Sequence, residues 1–235
     1  MAIEPIDAHA RHEWLPDGRT SLVFRVVDGG RRGDVSVAGP RTRACVKDVS
    51  GVARAVIVKL EPGWSVPLLG VAASEVTDRI VPLDEVWGRA GSELYQRLVE
   101  TLGLAELLDC LAGVFAHRME RSFEPSTAQL ARRAARHLEN GEDRVERLAA
   151  RFGVTARHLR RAFTEHIGVG PKSYARSVRL QRALKMATRS SDWARIAAQA
   201  GYCDQAHLIT DFRKLVGVTP RSFATRARQA DLCCN

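Results

Sequence analysis

Four short apolar runs in the first half of the chain are rich in β-branched residues, a pattern typical of strands. The first run ends at Asp28-Gly29-Gly30 and the last at Pro62-Gly63, both turn-forming sequences. Gly39-Pro40 separates the two middle runs. The predicted strands cover residues 20–27, 35–38, 44–49 and 53–60. The chain is therefore expected to begin with a β-rich domain.

The hydrophobic period lengthens from two residues to about 3.6 near residue 92, which predicts amphipathic helices. Two such helices are expected, over residues 92–101 and 104–123. Phe123-Glu124-Pro125-Ser126 interrupts the pattern and is the predicted domain boundary. The side chains expected to face inward are Leu94, Leu98, Leu102, Leu104, Leu107, Leu108, Leu111 and Phe115.

After residue 126 the periodicity is helical nearly throughout. Leu130, Ala134 and Leu138 define the inward face of a first helix, which ends near Asn140-Gly141, a common C-cap pair. Later helices are expected to start at capping residues or at first-turn prolines. These predicted starts are Asp143, Pro171, Ser191 or Asp192, and Pro220.

An internal repeat is the strongest signal in the sequence. Residues 148–154 match residues 196–202 at an offset of 48, and later positions match at an offset of 49. One inserted residue near Cys203 explains the change. The later matched pairs are Leu159/Leu208, Phe163/Phe212, Gly168/Gly217, Val169/Val218, Pro171/Pro220 and Tyr174/Phe223. Such self-similarity indicates one supersecondary unit used twice.

Each unit has the order helix, tight turn, helix. In the first unit Ala149 allows close helix packing, Gly153 allows a turn with positive φ, and Thr155 can cap the next helix. The corresponding residues of the second unit are Ala197, Gly201 and Asp204. This layout is that of a helix-turn-helix, whose second helix enters the DNA major groove. The alternative is two helical hairpins that pack together and bind nothing.

The second helix of each unit exposes the face opposite its apolar Leu and Phe. In the first unit this face consists of Arg157, Arg160, Arg161 and Thr164. Arginine pairs with guanine edges or with phosphate. In the second unit the face consists of Gln205, Ala206, Ile209, Thr210 and Arg213. Gln suits adenine and Ile a thymine methyl, so the first helix is expected to bind more strongly and the second to discriminate weakly.

Between the units, residues 172–188 are expected to form one helix, with Tyr174, Val178, Leu180 (or Gln181) and Leu184 inward. A helix of that length spans roughly 26 Å. Neighbouring major-groove segments on one face of B-DNA lie ~34 Å apart. One chain could therefore cover about two turns of the duplex.

Charge divides the chain in the same way as the hydrophobic pattern. The formal net charge is +9. Residues 1–126 carry 15 Lys and Arg against 18 Asp and Glu, whereas residues 127–235 carry 21 against 9, a net of +12. A mildly acidic half joined to a strongly basic one indicates two domains, the second facing a polyanion.

Several protein classes are excluded by composition. No apolar stretch approaches the ~18 residues of a membrane span, and residues 1–10 lack the apolar core of a secretory signal, so a cytoplasmic protein without a membrane partner is expected. Five scattered cysteines without CxxC spacing favour neither disulfides nor zinc, and Cys203 with His207 supplies too few ligands for a metal. No cofactor fingerprint is present.

The second half resembles the AraC/XylS family of bacterial transcription regulators over roughly residues 127–228. The resemblance is carried by Ala200-Gly201-Tyr202, Gln205-Ala206-His207-Leu208, Phe212-Arg213-Lys214 and Gly217-Val218-Thr219-Pro220-Arg221-Ser222-Phe223. It implies two helix-turn-helix units joined by a linker helix, and control of promoters. The family's base-contacting positions fall on Arg157, Arg160, Arg161, Gln205, Ala206, Ile209 and Thr210. Many relatives carry Arg at the position of Thr210.

The first half is similar to a β-rich sensor domain of some of these regulators. That similarity lies in Pro16-Asp17-Gly18, Gly39-Pro40, Pro62-Gly63, Leu69-Gly70-Val71 and Ser74-Glu75. In the family such domains bind a small effector, dimerise, or both. The partners implied are therefore double-stranded DNA at two adjacent major-groove segments, a small-molecule effector, a second copy of the chain and, for an activator, RNA polymerase. Whether the chain activates or represses is left open.

The expected fold is α+β: a β-rich, barrel-like domain with trailing helices over residues 1–123, then an all-α DNA-binding domain over 127–228 and a tail over 229–235. The first helix-turn-helix is expected at about 144–166, the linker helix at 171–188 and the second at 192–216. Trp14, Trp64 and Trp87 suit core packing better than a pocket. The two helices of the first half would form a dimer surface or cover the barrel.

Two other functions compete with a sequence-specific regulator. One is a nonspecific architectural DNA-binding protein. The other is an enzyme regulated by its own DNA-binding domain, which would need a reactive-cysteine cluster, although only Cys45 and Cys110 precede the helical half. No nucleophile elbow, phosphate-binding loop or dinucleotide fingerprint is present, so no enzyme activity is expected.

Overall fold

The computed structural model describes residues 2–5, 11–27, 32–49, 51–101, 103–141 and 144–233. All the strands within them belong to the first half of the chain. They are β1 (Ala2–Pro5), β2 (Arg11–Trp14), β3 (Ser21–Val27), β4 (Arg32–Ala38), β5 (Cys45–Asp48), β6 (Val52–Lys59) and β7 (Ile80–Pro82). The four predicted strands correspond to β3, β4, β5 and β6. The predicted turn at Asp28-Gly29-Gly30 lies outside the described residues.

Two antiparallel sheets form from these strands. The larger has the order β1-β6-β3-β4-β7, and the smaller pairs β2 with β5. Along β3 the side chains alternate: Leu22 and Phe24 join the large apolar core on one face, whereas Val23 packs on the other face with Ile57 and with Trp14 of β2. The five-stranded sheet is therefore covered on both faces.

The described part of the first half also contains five helices, with β7 between the second and the third: α1 (Ser65–Leu69), α2 (Ala73–Val76), α3 (Leu83–Trp87), α4 (Arg89–Glu100) and α5 (Leu104–Arg121). Leu98 of α4 and Leu111 of α5 belong to the large core with the sheet. The expectation that Leu104 faces inward is wrong, because its side chain is 51% exposed. A helical side chain covers the turn that precedes it, and Leu104 opens its helix. Leu102 lies outside the described residues.

The second half contains seven helices among the described residues. They are α6 (Ser126–Glu139), α7 (Val145–Arg151), α8 (Ala156–Ile167), α9 (Pro171–Ala187), α10 (Trp193–Ala200), α11 (Gln205–Val216) and α12 (Pro220–Cys233). The expected fold class, a β-rich domain followed by an all-α domain, is confirmed. Helix α12 continues through residue 233, into the segment expected to be a tail.

Two separate apolar clusters stabilise the helical half. The first joins α6, α7 and α8 to Tyr174 near the start of α9. The second joins α10 and α11 to Leu180 and Ala183 nearer its end. Leu130, Val178 and Leu184, predicted to face inward, are partly buried on these clusters. Helix α9 therefore belongs to both cores.

Caps and turns follow the sequence prediction. The side chains of Thr155, Asp192 and Asp204 accept hydrogen bonds from backbone N–H groups in the first turns of α8, α10 and α11, at 3.1, 3.1 and 2.7 Å. Pro171 and Pro220 are the first residues of α9 and α12. Asp143 lies outside the described residues. These helix starts are therefore set locally.

A buried carboxylate joins α9 to α11. Asp211 of α11 is 6% exposed, and its Oδ1 accepts a hydrogen bond from Arg176 Nε of α9 at 3.2 Å. Arg176 Nη2 lies 3.0 Å from the same oxygen and completes the ion pair. Arg179 and His207 place nitrogen atoms 3.9 and 3.8 Å from Oδ2. Burial raises the pKa of the nearby Tyr202 hydroxyl to about 12, and the Asp211 charge adds to this shift. The burial of Asp211 could not be predicted from the sequence pattern, because an acidic residue next to the exposed Thr210 on a helix ordinarily faces solvent.

Among the described residues, hydrogen bonds join the β-rich domain (residues 1–123) to the helical half at three places. Gln181 Nε2 of α9 donates to Pro16 O at 2.9 Å, and Thr77 Oγ1 donates to Gly168 O at 2.8 Å. The N–H of Ala44 donates to Leu215 O at 2.7 Å. Gly168 caps α8 and Leu215 lies in the last turn of α11, where carbonyls lack intrahelical partners. The first half thus supplies donors to the ends of both helices.

The turn glycines generate a stability prediction. Gly153 and Gly201 have φ of 67° and 90°. Alanine in this left-handed region costs about 1–2 kcal/mol, so Gly153→Ala and Gly201→Ala should each lower the free energy of unfolding by that amount. Gly113→Ala is the control: Gly113 lies within α5 with open space around its Cα, and the change should stabilise by about 0.5–1 kcal/mol. Equal urea midpoints for the three variants would contradict this.

A second prediction concerns the buried carboxylate. Asp211→Asn should lower the free energy of unfolding by about 1–3 kcal/mol, because Arg176 loses its charged partner away from water. Asp109→Asn, on an exposed part of α5, is the matched control and should leave the midpoint unchanged. Urea unfolding followed by circular dichroism measures both. An Asp211 variant as stable as its control would show that the pair contributes nothing.

Candidate nucleic-acid interface

The first helix-turn-helix consists of α7, the turn at Gly153, and α8. Ala149 of α7 and Leu159 and Phe163 of α8 are buried at the contact between the two helices, each at most 2% exposed. Thr155 caps α8, and Gly168 ends it in the left-handed conformation. The packed face of α8 is thereby fixed, and its opposite face lies in solvent.

The four predicted contact residues of α8, namely Arg157, Arg160, Arg161 and Thr164, are all exposed. Arg160 forms an ion pair with Glu146 in the first turn of α7. Within the described chain, Arg157 and Arg161 have no such acidic partner. The outward face of α8 therefore presents two unpaired guanidinium groups and a third that is held against α7.

The second helix-turn-helix consists of α10, the turn at Gly201, and α11. Leu208 and Phe212 are fully buried, and Asp204 caps α11. Of the predicted contact residues, four are exposed: Gln205, Ala206, Thr210 and Arg213. Ile209 is half-buried and packs against the second apolar cluster. The outward face of α11 thus offers one amide, one hydroxyl and one cation.

A basic cavity of about 530 Å³ lies beside the first unit, where α9 begins. Arg144, Arg160, Lys172 and Arg179 line it, with Glu146 as the acidic member. Gly170 and Pro171 place the N-terminus of the 17-residue α9 at its wall. Helix N-termini and cations both attract anions such as phosphate. Sequence reasoning missed Arg144 and Lys172, which lie outside the second helix of the unit.

The described residues contain no cluster of three or more His, Cys, Asp or Glu side chains placed to hold a metal ion. Cys203 and His207 are neighbours, with the Cys203 N–H 3.5 Å from His207 Nδ1. In the same part of the chain no helix is long and apolar enough to cross a bilayer.

Family models match both halves of the chain. Residues 148–226 match a helix-turn-helix domain, and residues 2–82 match a domain of unknown function. The two regions coincide with the helical units and with the two sheets.

Two curated relatives match a little over a third of the chain. The transcriptional activator RhaS of Escherichia fergusonii is 34% identical over 88 residues, which are 37% of this chain and 31% of that protein. The transcriptional regulator GlxA of Rhizobium meliloti is 34% identical over 97 residues, 38% of this chain and 30% of that protein. The match therefore spans about a third of either relative's length.

Solved structures extend the likeness to the whole fold. ToxT of Vibrio cholerae O395, bound to (E)-4-(8-methylnaphthalen-1-yl)but-3-enoic acid, superposes with a TM-score of 0.52 at 12% identity, over 95% of this chain and 97% of that one. A second structure of ToxT from the same strain gives a TM-score of 0.50 at 10% identity, over 95% of either chain.

Three observations agree: the internal repeat, the two capped helix-turn-helix units, and the match of residues 148–226 to a helix-turn-helix domain family. The resemblance inferred from the sequence is confirmed. Residues 148–226 of the chain belong to a helix-turn-helix domain family, and the chain is similar to the transcription regulators RhaS and GlxA.

Proposed function

We propose that this protein is a sequence-specific DNA-binding transcriptional regulator. The observation that carries the proposal is the repeated helix-turn-helix with two different outward faces. One face presents Arg157 and Arg161 unpaired, and the other presents Gln205 and Thr210. A nonspecific binder would need charge alone, whereas a duplicated reading unit with unlike faces suits an asymmetric base sequence.

The two units have unequal roles in this proposal. The arginines of α8 pair with guanine edges and phosphates and provide most of the affinity. Helix α11, through Gln205, Ala206 and Thr210, discriminates more weakly, and Ile209 contributes less because it is half-buried. The basic cavity beside α9 binds a backbone phosphate, which positions the first unit.

The linker helix sets the span of the complex. Helix α9 has 17 residues and is therefore roughly 26 Å long. We call α8 and α11, the second helices of the two units, the reading helices. Because both apolar clusters include α9, the two reading helices keep one relative orientation. In this proposal residues 127–228 form the DNA-binding domain and contact two adjacent major-groove segments.

The first half, residues 1–123, is the sensing domain in this proposal. Two observations support a small-molecule effector: the cavities between the two sheets, and the likeness of the fold to ToxT in complex with an organic acid. The exposed faces of α4 and α5 offer a surface for a second copy of the chain. An activator would also contact RNA polymerase.

Selection of bound fragments from random DNA tests the proposal. The purified chain should enrich one sequence. At fixed salt that fragment should then compete at least about a thousandfold better than random DNA, because specific regulators bind their sites about 10³–10⁷ times more tightly than other DNA. Binding without enrichment would show an architectural protein instead.

Arg160→Ala should weaken binding of the selected sequence by about 1–3 kcal/mol and relax discrimination at one base pair, because a bidentate arginine–guanine pair is lost. The matched control is Arg97→Ala, which removes an exposed arginine from α4 and should change neither quantity. Competition by operator variants measures the discrimination. Equal weakening for all sequences, with a salt slope smaller by about one, would make Arg160 a phosphate contact.

Glu146→Gln should have the opposite effect on affinity. It releases Arg160 from its ion pair and removes a negative charge from the basic cavity. Because exposed pairs are worth roughly 0.2–1 kcal/mol, binding should tighten up to about fivefold. Glu75→Gln, which changes an exposed acid of α2 outside the helical half, controls for the change in net charge. Weaker binding of Glu146→Gln would show that Glu146 itself contacts the DNA.

A further inference from the structure

A cleft lies between the five-stranded sheet and the β2–β5 pair. Its cavity of about 240 Å³ is bounded by Trp14, Ile57 and Lys59 from the strands, by Arg41 from the segment after β4, and by Gln181 of α9. A second cavity of about 180 Å³ shares Trp14 and His12 with the first and is bordered by Val23 and Ile80. Trp14 therefore borders two neighbouring pockets with partly apolar walls.

Arg41 is the unusual residue of this cleft. Its Nη1 donates to Asp78 O at 2.7 Å, and its guanidinium carbon lies 5.2 Å from the centre of the Trp14 ring. Its Nε and Nη2 are buried and have no hydrogen-bond partner among the described residues. Buried donors without partners lose their hydrogen bonds to water without replacement, and the loss is larger when the group is charged. A cation in this arrangement is stabilised by an anion that supplies the missing acceptors.

The basic side chains of the cleft other than Arg41 already have acidic partners. Arg19 pairs with Glu61 at 2.8 Å, and Lys59 pairs with Asp17 at 3.4 Å. Burial raises the pKa of Asp17, which the Lys59 charge opposes. Glu13 also borders the cavity but forms no ion pair with Arg41 in the described structure. The basic donors of the cleft that lack an acceptor are therefore Nε and Nη2 of Arg41.

We propose that this cleft binds a small organic carboxylate, whose two oxygens accept hydrogen bonds from Arg41 Nε and Nη2 and whose short apolar body packs on Trp14 and Ile57. Two parallel N–H···O bonds from this edge are the strongest arrangement an arginine offers a carboxylate. The proposal requires the half-buried Trp14 ring, 5.2 Å from the guanidinium carbon, to turn aside when the carboxylate enters, because both nitrogens are buried in this structure. Since ligand pockets for drug-sized molecules measure about 300–1,000 Å³, the occupant is smaller.

The same arginine is connected to both reading helices. Asp78 accepts from Arg41 through its carbonyl, and its carboxylate accepts from Thr42 N and Oγ1 at 2.8 and 2.6 Å. Next to Asp78, Thr77 donates to the Gly168 carbonyl that ends α8. Ala44, in the same segment as Thr42, donates to Leu215 O in the last turn of α11. A ligand on Arg41 therefore acts on the segment that contacts the ends of both helices.

This inference rests on the proposed function, because it names the effector class of the same sensing domain. It is tested on the full chain with acetate, butyrate, hexanoate and benzoate. The uncharged amide of each acid and inorganic phosphate are the comparison ligands. Thermal unfolding and tryptophan fluorescence report binding. Arg41→Gln is the test variant. Arg41→Lys keeps the positive charge but lacks the two parallel N–H donors of the guanidinium group. Arg43→Gln changes an exposed neighbouring arginine and is the control.

At least one acid with an apolar body should raise the unfolding temperature of the unmodified chain while its amide and phosphate do not. Arg41→Gln should weaken that acid at least about tenfold, Arg41→Lys should weaken it less, and Arg43→Gln should leave its affinity unchanged. Circular dichroism of the free variants establishes that they fold. Binding of amides as strongly as acids, undiminished binding to Arg41→Gln, or no stabilisation by any acid would each overturn the proposal.

DNA binding separates this inference from the proposed function. An acid that binds through Arg41 should change the affinity for the selected DNA in the unmodified chain and in Arg43→Gln, and not in Arg41→Gln. A selective operator with no acid binding would overturn the inference alone. Acid binding by a chain that enriches no DNA sequence would overturn the proposed function and leave the cleft as a ligand site.

Discussion

The two helix-turn-helix units depend on one shared helix. Near its start α9 places Tyr174 in the first core, where the ring lies 5.4 Å from that of Phe163 on α8. Further along it places Leu180 in the second core, and Arg176 pairs with Asp211 of α11. Because interiors are close-packed and both cores include the same rigid helix, neither reading helix can turn without disturbing α9. The geometry of the candidate interface follows from this constraint.

Local structure in the helical half could be predicted because its determinants are local. Thr155 and Asp204 cap helices whose first turns begin one residue later, and Gly153 and Gly201 have the positive φ that the repeat required. Strands β1, β2 and β7 could not be predicted in this way. They are three or four residues long, and β1 and β7 lie at sheet edges, so pairing with a neighbour rather than a hydrophobic pattern determines them.

In the candidate site, too, the features that depend on local sequence could be predicted and those that depend on tertiary contacts could not. Exposure of Arg157, Arg161 and Gln205 follows from helical periodicity once Leu159 and Leu208 are known to face inward. The pairing of Arg160 with Glu146 joins different helices, and the cleft around Arg41 joins different sheets and α9. Such contacts depend on tertiary packing, and no spacing in the sequence indicates them.

The position of the domain contacts explains how a sensing domain could act without covering the DNA-binding face. Bases are contacted by the N-terminal residues of a reading helix, where Arg157 and Gln205 lie. The first half instead contacts Gly168 and Leu215, at the opposite ends of α8 and α11. Those carbonyls lack intrahelical partners, so each accepts a bond that can be exchanged for water without unwinding the helix. Control through these ends would move α8 and α11 together with α9, so that their relative orientation is kept while their base-facing ends remain accessible.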